Sequence, residues 1–138
     1  MLLLLFPLFT YFATPQTVTI TVSSSANKEA PIRLAVYASA DDFATEDNPV
    51  ASKVQQGGLS PVDMELQLPN DGDYVFAAYH DLNGNGKLDR NFLGVPTEPY
   101  GFPRTPPSKW RAPNFTEVCT KVDAGSTASI ELKTWGEY

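Results

Sequence analysis

The sequence predicts an all-β protein, an antiparallel β-sandwich, on three observations. Beyond residue 16 the dominant apolar period is two, no segment of ten or more residues keeps a helical period, and turn-forming clusters separate the short apolar runs. Residues 17–22 alternate cleanly, with Val18, Ile20 and Val22 on one face and threonines on the other, as a half-buried strand should. Residues 32–37 repeat the pattern with Ile32, Leu34 and Val36 inward. The polar stretch 41–58 reads as a loop with a helical turn near Asp41-Asp42-Phe43. Residues 62–68 alternate again, and Pro69-Asn70-Asp71-Gly72 closes them as a turn. Residues 73–80 are apolar on both faces, the mark of a central strand covered from two sides. Residues 117–122 and 127–132 complete the set, joined by Asp123-Ala124-Gly125-Ser126. About seven short strands spaced in this way fit a sandwich of immunoglobulin-like or transthyretin-like kind. The Cys…Trp…Cys hallmark of antibody domains is absent.

The first residues do not belong to that pattern. Leu2-Leu3-Leu4-Leu5-Phe6-Pro7-Leu8-Phe9-Thr10-Tyr11-Phe12 has the length of a secretory signal core and is too short to span a bilayer comfortably. Pro7 further disfavours a membrane helix. Residues 1–16 are therefore expected to be a signal peptide, and residues 17–138 one β-sandwich domain, periplasmic or secreted, with no stable membrane span. A net charge of −6 with 16 acidic and 10 basic residues argues against nucleic acid as a partner, because phosphate binding needs a cationic face. The single cysteine, Cys119, excludes an intramolecular disulfide and is expected to be a buried strand thiol. The lone histidine, His80, reads as a strand-end residue.

The most informative stretch is Asp81-Leu82-Asn83-Gly84-Asn85-Gly86-Lys87-Leu88-Asp89. Oxygen-bearing side chains fall at every second position, a glycine stands sixth and a carboxylate ninth, as in a calcium loop of the EF-hand kind. Asp81, Asn83, Asn85, the Lys87 carbonyl and Asp89 are the candidate metal ligands, with calcium as the cofactor. Phe92 stands where such a loop has its bidentate Glu, so the expected affinity is weak, roughly 10⁻⁴ to 10⁻³ M, with water or a distant carboxylate such as Glu98 as sixth ligand. The same residues also read as two Asn-Gly turns that need no metal.

Residues 93–114 hold Pro96, Pro99, Pro103, Pro106, Pro107 and Pro113 together with Tyr100, Phe102 and Trp110. A segment of this length without regular structure is uncommon in a compact domain and often functional. Its aromatics either cap the sandwich or present a ligand platform of Tyr100, Phe102 and Trp110. Phe92 and Leu93 are expected to turn inward and anchor its start.

The run Tyr74-Val75-Phe76-Ala77-Ala78-Tyr79-His80-Asp81, the loop after it, Asn91-Phe92-Leu93-Gly94-Val95-Pro96, Glu98-Pro99-Tyr100-Gly101-Phe102 and Ala112-Pro113-Asn114-Phe115 together resemble a family of small exported bacterial proteins, domain of unknown function 2141. The resemblance implies export and a β-sandwich and assigns no activity.

No nucleophile elbow, second histidine or phosphate-cradling loop is present, so an enzyme is not expected. The expected function is that of an exported non-catalytic module, structural or interacting in the cell envelope, with the cation loop stiffening one end of the sandwich. The alternative is a small-ligand or saccharide-binding module using loop 93–114. The expected partner is correspondingly an envelope protein, one taking up an exposed edge strand, or a small ligand.

Overall fold

The alternating runs form strands whose apolar faces share one core. In this computed structural model, residues 7–8, 10, 14–26, 29–56 and 61–138 are described, and most of the proposed signal segment lies outside them. The strands are β1 (Gln16–Ser24), β2 (Ile32–Tyr37), β3 (Ala51–Gln55), β4 (Val62–Leu68), β5 (Gly72–His80), β6 (Tyr100–Gly101), β7 (Thr120–Val122) and β8 (Thr127–Leu132). Two short helices, α1 (Ala40–Thr45) and α2 (Phe115–Val118), and a final 3₁₀ turn complete the chain.

One sheet has the order β4-β1-β8; the other runs β3-β2-β5-β6, with β7 also paired to β5. Val18, Ile20 and Val22 of β1, Met64, Leu66 and Leu68 of β4, and Ile130 and Leu132 of β8 face Ile32, Leu34 and Val36 of β2 and Tyr74, Phe76 and Ala78 of β5. This is an all-β sandwich, and the inward residues are those the period of two selects. Lettered in chain order without β6, the strands fall into sheets D-A-G and C-B-E-F. The immunoglobulin constant domain has A-B-E-D and C-F-G, so its strand order is not the one found.

The pairing departs from the expectation in one respect. β1 and β8 run parallel, with Thr19 opposite Thr127 and Ser24 opposite Leu132. Strands from the two ends of the chain have no hairpin to force them antiparallel.

The second face of β5 is covered as well. Val75 and Ala77, with Ala35 and Tyr37 of β2, pack against Phe43 of α1, Phe115 and Val118 of the α2 region, and Phe102. The helix α2 replaces the start of the expected strand 117–122. Glu117 Oε2 accepts the Asn114 N–H at 2.8 Å, a capping arrangement that favours one helical turn. Cys119 consequently sits at the helix C-terminus, half-buried rather than buried in a strand, with Sγ 3.9 Å from the Thr116 carbonyl. β3 lies in the stretch read as a loop. It is a polar edge strand on β2 with Val54 41% exposed, so it lacks the apolar face that would announce it.

β6 interrupts the proline-rich segment and ties the two sheets together. Tyr100 is opposite Tyr79 of β5, while its N–H and carbonyl exchange bonds of 2.9 and 3.0 Å with Lys133, just past β8.

Candidate functional site

β5 ends at His80 and delivers Asp81 into the loop. Both are buried, at 1% and 0% exposure. His80 Nδ1 lies 2.9 Å from Ser24 Oγ and its N–H bonds the Pro99 carbonyl, so it is the strand-end residue expected. Asp81 Oδ2 accepts from Arg33 Nε at 2.7 Å and from the Gly86 N–H at 2.9 Å, which curls the loop from its first position to its sixth. Burial pushes the Asp81 carboxyl pKa up, but Arg33 and the Gly86 and Asn85 N–H groups outweigh it and hold the group below the usual carboxylate range. Asp81 Oδ1 is buried and meets no hydrogen-bond donor.

The other loop residues satisfy one another. Asn83 and Asn85 accept the N–H groups of Asn85 and Lys87 through their side-chain oxygens, and their amides donate to the Asp89 carboxylate. Gly84 and Gly86 have φ of 70° and 81°, which the turns require. Glu98, 4% exposed, spans the loop from outside. Its two oxygens accept the N–H groups of Leu82 at 3.0 Å and Asp89 at 3.2 Å. Among the described residues no three His, Cys, Asp or Glu side chains converge as a metal-binding group. Asp81 and Asp89 are thus held at the two ends of one loop, and Asp81 Oδ1 is an acceptor left without a hydrogen bond.

Residues 89–97 fold back as a tight hairpin. Asn91 N–H bonds the Val95 carbonyl, Thr97 N–H the Asp89 carbonyl, and Asn91 Oδ1 takes the N–H groups of Leu93 and Val95. Phe92 and Leu93 sit at its tip, 94% and 72% exposed. They do not turn inward as anchors. The backbone bonds of the hairpin hold this segment, and an apolar residue at a two-residue tip has no core within reach.

Between that hairpin and residues 100–113, over the outer face of β2 and β5, lies a cleft of about 1170 Å³. Gly86, Lys87, Arg90 and Leu93 from the loop and hairpin line it together with Lys109, Trp110, Arg111 and Pro113. Tyr100, Phe102 and Trp110 all border it, but not as one platform. Tyr100 stacks on Tyr138 with centroids 4.9 Å apart, Phe102 meets Phe43 edge-on at 6.0 Å, and Trp110 meets Trp135 edge-on at 5.1 Å. Trp110 is 79% exposed. Trp135, far away in sequence, was not legible as a site residue. Arg111 is fixed by a two-pronged pair with Glu117; Arg111 first, and then the Asn114 N–H, hold that carboxyl at about 2.

A model of the bacterial family described as "Uncharacterized protein conserved in bacteria (DUF2141)" matches residues 20–130. The chain belongs to this family. No curated protein and no solved structure matches it. In this member of the 2141 family the stretches that carry the resemblance meet around the cleft: the end of β5, the loop and hairpin after it, the Tyr-Gly-Phe of β6, and Ala112-Pro113 before α2. The Tyr-Gly-Phe has a steric explanation. A Cβ on Gly101 would lie 2.7 Å from the Glu131 carbonyl oxygen and 3.0 Å from Ile130 Cγ2, so only glycine lets β6 press against β8.

Proposed function

We propose that this chain is an exported, non-catalytic binding module whose cation loop holds one wall of a ligand cleft. The observation that carries the reading is the cleft itself, where the calcium-type loop and the aromatic proline-rich segment face each other. Ligand sites are concave, mostly apolar and furnished with a few placed polar groups, and this cleft has that make-up. Its one carboxylate, Glu46, is engaged by Arg90 at 2.6 Å, so the lining offers recognition groups rather than an acid–base pair. Trp110, 79% exposed, is the stacking group of the proposed site, with Tyr100, Phe102 and Trp135 beside it. Trp110 and Trp135 are the chain's two tryptophans, so intrinsic fluorescence reports occupancy. In a titration of an oligosaccharide panel, at least one member should shift the emission saturably; no shift from any member would reject the binding reading.

Calcium is proposed for the loop. Asp81 Oδ1 supports it, because a buried carboxylate oxygen without a donor is costly unless a cation completes it. The residues that would hold the ion are Asp81, Asn83, Asn85, the Lys87 carbonyl and Asp89. It would cross-link the two ends of the loop and so brace the Gly86–Lys87 wall. The competing arrangement is closure by Arg33 alone, whose guanidinium already meets Asp81.

Export rests on the apolar run at residues 2–12. Mass spectrometry of native protein should place the mature N-terminus between about residues 13 and 17; an intact Met1 would overturn it. Among the described residues no helix is long and apolar enough to cross a membrane.

A further inference from the structure

Building on the binding reading above, we infer that the cleft takes an acidic saccharide, a sugar ring bearing a carboxylate. The chain carries a net charge of −6, yet among the described residues Arg33, Lys87, Arg90, Lys109 and Arg111 line the cleft, while Lys53 borders it from the inward face of β3. Only one of its 16 acidic residues, Glu46, lines it. The cations are therefore segregated onto this surface, against the sign of the molecule.

The pairing within the group separates scaffolding from recognition. Arg33, Arg90 and Arg111 are each tied to one carboxylate, Asp81, Glu46 and Glu117. Lys87 pairs with no carboxylate among the described residues, whereas Lys53 Nζ donates to the Glu65 carbonyl of β4 and is turned away from the cleft. Lys109 Nζ donates to the Tyr138 oxygen and sits 4.4 Å over the Trp135 ring, with Trp110 at 5.7 Å. An ammonium thus stands beside two indoles at the rim. The exposed Trp110 indole stacks on the apolar face of a sugar ring, and Lys87 and Lys109 meet a charged substituent on it. A field of one sign in a concave, partly apolar site is focused and attracts the opposite charge.

The test is a calorimetric and fluorescence titration of the full mature chain with trigalacturonate, its neutral methyl ester, and inorganic phosphate. Trigalacturonate should bind at least about tenfold more tightly than the ester or phosphate, and more weakly as salt is raised. Lys87→Gln should weaken trigalacturonate several-fold more than it weakens the ester, while Trp110→Ala should weaken both alike. Equal binding of acid and ester would overturn the inference and leave the cleft reading standing. Phosphate binding as tightly as the trisaccharide would overturn it by removing the ring from recognition. Binding of neither sugar would overturn the inference, and the panel titration above then decides the cleft reading separately.

Discussion

Asp81→Ala is expected to destabilise the protein by about 2–4 kcal/mol and to remove its response to calcium. The carboxylate is fully buried and serves Arg33 and the Gly86 N–H at once. Truncation strands a guanidinium and an N–H, and removing one partner of a buried pair costs more than the pair contributes. The figure lies below the top of the range for such losses because the Arg33 side chain keeps 29% exposure. The double variant Arg33→Met, Asp81→Ala should recover part of the loss, since the stranded charge is gone. On the calcium proposal, about 10 mM calcium acting on a site of about 1 mM affinity would add roughly 1.4 kcal/mol to the wild type, a small but measurable rise in Tm. Magnesium should do less, because it demands near-ideal octahedral geometry. Superimposable melts in calcium and chelator would show that Arg33 closes the loop by itself. Acid should mimic the truncation. The folded-state pKa of Asp81 is lowered, so its contribution is present above the ordinary carboxylate range and is lost as pH falls through the lowered value.

Gly101→Val is expected to cost about 3 kcal/mol or more and to open the cleft at β6. The new Cβ would meet the Glu131 carbonyl oxygen at 2.7 Å, which is backbone and cannot rotate away. Either β6 or β8 must move. Movement of β6 breaks the Tyr100–Lys133 exchange that joins the sheets and displaces Tyr100 from the cleft. Gly136→Ala is the control, since nothing lies within 4 Å of a Cβ there. Denaturant melts decide the matter: a Gly101→Val midpoint equal to that of Gly136→Ala would mean that β6 is not clamped against β8.

Residues far apart in sequence set the limits of what could be read beforehand. The inward faces of β1, β2, β4, β5 and β8 were legible because a strand's side-chain period is two whatever it pairs with. The loop 81–89 and family membership were legible because both depend on local spacing. Other features were not. β3 has no apolar face, and its existence follows only from pairing with β2. α2 was hidden by a run that alternates, although Asn114 and Glu117 carry a capping signature. The outward Phe92 and Leu93 are decided by backbone bonds between 89 and 97 that hydrophobicity does not report. The cleft was the least legible, because Arg33, Lys87 and Lys109 come from a strand, a loop and the proline-rich segment and share one surface only once the sheet forms. By itself, then, the sequence determined which residues enter the core, the spacing of oxygens in the loop and the family, all properties of neighbours along the chain. The tertiary structure alone decided the parallel β1–β8 pair, the Arg33–Asp81 contact and the gathering of positive charge in an acidic protein. Each of these depends on distances in space that burial of the core imposes on residues with no local reason to meet.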